Sequence, residues 1–118
     1  MPILRENDGQ LDSFEGGATY RTLVGDDKGS TPLRVGVQTS PPGFNTGSHY
    51  HPYLEVVTVL SGDGEAWIEG EGDPQPIATG DTMVFPPNAR HWFRTVGDGN
   101  LVTCGIHASP DRIVLRED

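Results

Sequence analysis

Four residues in the chain combine metal-ligating types with a suggestive spacing: His49, His51, Glu55 and His91. His49 and His51 stand two apart. On an extended strand such a pair points to one face, about 6.6 Å apart along the chain, so both imidazoles can converge on one cation. Glu55 has the same parity, yet on a straight strand it would lie about 13 Å beyond His51, too far to share an ion. Pro52 stands between them. A chain reversal around Pro52 and Tyr53 would put Glu55 on the next strand beside His51, and proline favours such a turn. His91 comes from the second half of the chain, after a short apolar run and Pro86-Pro87-Asn88. Three neutral imidazoles and one carboxylate suit one divalent transition metal ion: Fe, Mn, Ni, Co, Cu or Zn. Positions left open beside four protein ligands admit water, O₂ or substrate.

The elements that must position these side chains are strands. Gly (16) and Pro (10) are so spaced that the longest stretches free of both, 53–61 and 88–96, are nine residues. An interior Pro costs a helix about 3 kcal/mol and an interior Gly about 1. Long helices are therefore excluded, leaving at most a short helical turn near an end. Short β-type runs at 18–24, 33–39, 48–51, 54–60, 65–69, 81–85, 91–96 and 100–107 alternate with turn signals. Eight or nine strands at this spacing fit a sandwich, barrel or jelly roll. Ser61-Gly62-Asp63-Gly64 reads as a hairpin turn and 70–76 as a loop. The tail from Asp111 fits an edge strand or a helical turn equally.

Composition narrows the function classes. Seventeen acidic residues against eight Lys and Arg give a net charge of −9, which opposes binding to nucleic acid or an anionic membrane surface. The sole lysine, Lys28, sits beside Asp26 and Asp27, a poor setting for Schiff-base chemistry. One cysteine, Cys104, allows neither an internal disulfide nor a cysteine metal cluster, and reads as a buried strand residue. No run approaches 18 apolar residues, and the first residues lack the apolar core of a signal peptide. A reducing, cytoplasmic setting is the expectation.

The motifs carry a specific resemblance. Gly43-x5-His49-x-His51-x3-Glu55-x6-Gly62 matches the first cupin motif at every fixed position. From composition alone, such a match arises by chance on the order of once in ten thousand chains. Gly80-x5-Pro86-x-Asn88-x2-His91-x3-Thr95 resembles the second motif, with Asn88 where the family has Gly and Thr95 where it has Asn. Asn accepts left-handed backbone better than other non-glycine residues, and Thr95 is not at a ligand position of the family. The stretch between the motifs, 63–79, is short, as in small bacterial cupins. The chain thus resembles a small single-domain type-2 cupin. That resemblance implies an all-β, cupin-type jelly-roll β-barrel over 1–118, with motif one at 43–62 and motif two at 80–95. It implies a metal inside, held by His49, His51, Glu55 and His91, and a homodimer to which Trp67 or the N-terminal segment would contribute.

Similar small cupins include dioxygenases, isomerases, epimerases, lyases, polyketide-shaping cyclases and plain binding modules. The expectation is a metal-dependent enzyme of dioxygenase, isomerase or lyase type acting on a small oxygenated or carboxylated metabolite. Glu55 would double as a general base if it leaves the metal. The alternative is a non-catalytic sensor or module that binds a sugar or other small molecule. A structural zinc site fits less well, because such sites are usually closed and cysteine-rich. Phe85 and Phe93 are the pocket candidates among the aromatic residues; Tyr53, Phe44, Trp67 and Trp92 read first as core or interface. His107, outside both motifs, faces either the pocket or solvent. Arg34 and Gln38 share one face of their strand, opposite Leu33, Val35 and Val37. Turned inward, Arg34 would hold a substrate carboxylate by a bidentate pair. The outward orientation is preferred here.

Overall fold

Nine strands carry the chain, which a computed structural model describes over residues 3–26 and 28–116. They are β1 (Leu11–Ser13), β2 (Thr19–Val24), β3 (Arg34–Ser40), β4 (Glu55–Ser61), β5 (Asp63–Ile68), β6 (Gln75–Ala78), β7 (Thr82–Phe85), β8 (His91–Val96) and β9 (Leu101–His107). The only helical element among the described residues is a three-residue 3-10 turn at Glu6–Asp8. Two antiparallel sheets result, ordered β1-β2-β3-β9-β4-β7 and β6-β5-β8. Their inner faces share one apolar core. Val57, Val59, Met83, Phe85 and Leu101 come from the large sheet, and Ala66, Ile77 and Phe93 from the small one. This is the jelly-roll arrangement in which alternate residues of each strand point inward.

The turn signal at Ser61-Gly62-Asp63-Gly64 is not a hairpin. β4 pairs with β7 and β9, whereas β5 pairs with β6 and β8, so the chain crosses from one sheet to the other at Gly62. Gly62 has φ 95°, and a Cβ there would sit 2.2 Å from the Asn100 carbonyl oxygen. The loop expected at 70–76 ends early, because Gln75–Ala78 is an edge strand. Pro76 is tolerated there because an edge strand has one side without a ladder to break. The tail resolves as neither expected element: through Arg116 it is irregular, with Leu115 bridged to Tyr50. Glu117 and Asp118 lie outside the described residues, as does Asp27 beside Lys28.

The preferred orientation of β3 is reversed. Arg34, Gly36 and Ser40 are buried while Val35 and Val37 are half-exposed, so the Arg34–Gln38 face looks inward. The interior along β3 is a polar cavity rather than a hydrocarbon core, and the valines face outward. On that outer face Val35, Ile106, Val56 and Val84 form one register row across β3, β9, β4 and β7.

Candidate metal centre

The residues 44–51 run antiparallel along β8 as an added, loosely paired strand. Their bonds are Thr46 N–H to Phe93 O (3.0 Å), His49 N–H to His91 O (3.0 Å), and His91 N–H back to His49 O (2.8 Å). This ladder sets His49 beside His91, with ring centroids 4.3 Å apart. The chain then bends at Pro52 and Tyr53 and enters β4 at Glu55. The reversal brings His51 Nε2 to 2.9 Å from Glu55 Oε1, and His91 Nε2 lies 3.4 Å from the same oxygen. His49, His51, Glu55 and His91 are all buried, and each offers one ligand atom within 4.8 Å of the others. Asn88, where the motif usually has Gly, adopts φ 66° and donates its N–H to His51 O at 2.7 Å. Thr95 bonds the Phe44 and Ser40 carbonyls and has no part in the cluster.

The protonation pattern of this cluster calls for a cation. His49 Nδ1 meets Gly47 O (2.8 Å), His91 Nδ1 meets Ala89 O (3.0 Å), and His51 Nδ1 meets Ile113 O. A carbonyl only accepts, so each Nδ1 carries a proton, and in the neutral ring each Nε2 presents a lone pair. Three lone pairs and a carboxylate oxygen therefore face one another in a buried space. His51 Nε2 and His91 Nε2 have no hydrogen-bonding partner, despite their short distances to Oε1. A divalent ion relieves this clash of acceptors. Neighbouring ligands about 2.1 Å from such an ion stand about 3 Å apart at right angles, close to the His51–Glu55 and His91–Glu55 separations. Burial pushes the His49 imidazole down to about 3, so it stays neutral near pH 7.

The other carboxylate oxygen is held by a separate chain. Glu55 Oε2 lies 3.2 Å from His107 Nε2, and His107 Nδ1 lies 2.7 Å from the Tyr53 hydroxyl. That hydroxyl accepts the Ile113 N–H at 3.1 Å. The carboxylate only accepts, so His107 donates its Nε2–H to Oε2, and in the neutral ring Nδ1 then accepts the Tyr53 O–H, which also lies 3.4 Å from Ile113 O. Burial lowers the His107 imidazole to about 4, and burial lifts the Tyr53 phenol to about 12, so both stay neutral around pH 7. Ligating residues are commonly oriented by outer partners of this kind. The sequence reading left His107 open and took Tyr53 for core. The one local signal for Tyr53 was its shared parity with His51 and Glu55, which places its ring 5.1 Å from that of His51 and nearly parallel to it.

The cluster opens into a cavity of about 900 Å³, also lined by Phe44, Val57, Phe93, His107 and Gln38. Two pocket candidates fall elsewhere. Phe85 does not line the cavity: it is 1% exposed, belongs to the core, and stacks on His91 with centroids 3.8 Å apart. It braces the ligand ring from behind. Arg34 points inward but to another place, bonding Pro110 O (3.0 Å) and the Thr22 hydroxyl (3.3 Å) beside a smaller cavity. Cys104 is half-buried, and burial pushes its thiol up.

Comparison with known proteins agrees with this architecture. The cupin domain family (Cupin_2) matches residues 36–106. Protein SchB of Streptomyces halstedii is 36% identical over 84 residues, covering 70% of this chain and 59% of that protein. The polyketide synthase CurC of Streptomyces cyaneus is 31% identical over 89 residues, covering 70% of this chain and 53% of that protein. The chain thus spans little more than half the length of these curated relatives. A cupin-like protein of Thermotoga maritima is 28% identical in its crystal structure, with a TM-score of 0.73, covering 91% of this chain and 80% of that one. With the family matched across both motifs and the strands between them, the chain belongs to the cupin domain family.

Proposed function

We propose that this cupin is a metal-dependent enzyme of dioxygenase, isomerase or lyase type acting on a small oxygenated or carboxylated metabolite. One observation carries the reading: three buried imidazoles and the Glu55 carboxylate bring their ligand atoms within 4.8 Å of one another beside a large cavity, with His51 Nε2 and His91 Nε2 lacking any hydrogen-bonding partner. When bound there, a divalent transition metal supplies Lewis acidity to a carbonyl or enolate oxygen, or an O₂ site if it is iron. His49, His51, His91 and Glu55 hold it. Phe44, Phe93 and Val57 give the adjoining space an apolar part of its wall. Glu55 serves as a ligand in this reading, with Oε1 toward His51 and His91 and Oε2 beside His107, and would act as a general base only on leaving the metal. The relative described as a polyketide synthase supports an oxygen-rich carbon skeleton as substrate.

The test is metal reconstitution followed by a turnover screen against keto acids, hydroxy acids and polyketide-like enols. Metal-dependent consumption of one of these supports the reading. A ligand that raises the melting temperature and is never consumed rejects it in favour of a binding module. The same reading includes a cytoplasmic homodimer paired through the outer face of the large sheet. There Ile106 is 41% and Val84 52% exposed in the aliphatic register row. Light scattering should give twice the chain mass, falling to one chain in Ile106→Lys; a monomeric unaltered protein contradicts the dimer.

A further inference from the structure

Beside the histidine cluster the cavity has a wall that metal binding does not use. Tyr20, on β2, is 3% exposed, and its hydroxyl has no hydrogen-bonding partner among the described residues. The end of its ring lies over Gly36 on β3: a Cβ there would stand 2.2 Å from Cζ and 2.3 Å from the hydroxyl oxygen. Gly105 is the register partner of Gly36 on β9, and a Cβ there would lie 3.5 Å from Glu55 Oε2. Two cross-strand glycines thus leave bare backbone between the Tyr20 hydroxyl and the Glu55 carboxylate.

Arg112 borders the same space. Its guanidinium carbon stands 4.7 Å from the Phe14 ring centroid and 5.1 Å from that of Tyr20. Stacking uses the face of the guanidinium and not its N–H edge. No carboxylate pairs with Arg112 among the described residues. The cavity is also less acidic than the chain as a whole. Among the described residues Glu15 and Glu55 are the acidic side chains that line it, with Glu55 turned to the histidines, against the two cations Arg112 and Arg116.

We propose that the Tyr20–Arg112 wall is the anchoring subsite for an acid group. The cavity takes a small oxygen-rich carboxylate that pairs with Arg112, accepts the Tyr20 O–H on one of its oxygens, and extends its other end to the His49–His51–Glu55–His91 cluster. The far contact rests on the metal reading above; the near one does not. Burial holds the Tyr20 phenol up at about 12, so it remains a donor at working pH. Arg34, the sequence-level candidate for the carboxylate, is engaged elsewhere, and Arg112 takes its place from the tail.

The probe pair is 2-hydroxybenzoate and its uncharged amide, 2-hydroxybenzamide, titrated calorimetrically into metal-reconstituted protein at low ionic strength. The acid should bind about tenfold more tightly than the amide. Arg112→Gln should erase that ratio with metal content unchanged, and Tyr20→Phe should weaken both ligands by about threefold. An acid no tighter than its amide, including no binding of either, overturns the proposal. So does a ratio that Arg112→Gln leaves intact. Repeating the titration on chelator-stripped protein separates the two readings. A ratio that persists with unchanged affinity keeps the anchor and rejects the metal contact; a ratio that persists with reduced affinity supports both. A missing ratio on protein that holds its metal rejects the anchor alone.

Discussion

Tyr53→Phe removes one oxygen atom that touches no metal ligand, and its consequences separate a built site from a chance cluster. In the folded protein that hydroxyl donates to His107 Nδ1 at 2.7 Å and accepts from Ile113 N–H at 3.1 Å. Without it, His107 Nδ1 is left buried and unpaired, at a cost of about 1–3 kcal/mol. Ile113 is 37% exposed, so water recovers part of the second bond. The expected net loss is about 2 kcal/mol, or roughly 8 °C of melting temperature for a chain of this size. Metal affinity should suffer separately. With Nδ1 released, His107 is free to exchange tautomers and rotate, so Glu55 Oε2 loses its fixed donor and the carboxylate loses its aim. Loss of such outer partners typically costs about 10- to 100-fold in metal affinity. The assay is competition for Co²⁺ or Zn²⁺ against a chromophoric chelator, with the Co²⁺ visible spectrum reporting ligand geometry. His107→Gln, which retains an N–H near the Nε2 position, should recover part of the affinity that His107→Leu loses. Metal binding within twofold of the unaltered protein in Tyr53→Phe, with an unchanged Co²⁺ spectrum, would refute the reasoning.

Two further predictions test the frame. Gly62 and Gly43 both have positive φ (95° and 84°), but only a Cβ at Gly62 meets backbone, while the space at Gly43 is open. Gly43→Ala should cost roughly 1–2 kcal/mol and Gly62→Ala roughly 3–5, read by urea unfolding; equal costs would contradict the sheet crossing at Gly62. Burial raises Tyr20 and Tyr53 from 10 to about 12 in the folded chain. The unfolded tyrosines release protons from pH 10, so stability is complete below pH 10 and falls as pH rises through 12, by about 2 kcal/mol per tyrosine. Tyr20→Phe should remove about half of that alkaline loss; a loss as large as in the unaltered protein would show that the ring is not buried as described.

Three members of the candidate cluster were legible because their constraint is local: the His49–His51 spacing and the Pro52 bend before Glu55 act within seven residues, while His91 was placed by the likeness of 80–95 to the second motif. What surrounds them was not. His107 and Tyr53 meet across 54 residues and Ile113 joins from 60 away, and no spacing rule links such positions. The strand plan was readable wherever β-branched runs were bounded by glycine. It missed β6 because Pro76 looks like a breaker, and β1 because three residues are too short a pattern. The error at Arg34 has a physical cause. Alternation was read as apolar-in and polar-out, the rule for a strand over hydrocarbon. β3 lines a polar cavity, so Gly36 and Gln38 face inward and Val35 and Val37 form the outer surface. The Gly62 signal was real, but a positive-φ glycine between two β runs marks a crossing as well as a hairpin. Only the pairing partners, β7 and β9 on one side and β6 and β8 on the other, tell them apart.

Element analysis of the freshly purified protein, without added metal, bears most directly on the central claim that His49, His51, Glu55 and His91 form a metal centre. The account predicts close to one equivalent of a single divalent transition metal per chain, lost in the folded His49→Ala, His51→Ala double variant. Less than about a tenth of an equivalent, with no uptake on reconstitution, or full occupancy in the double variant, would contradict it.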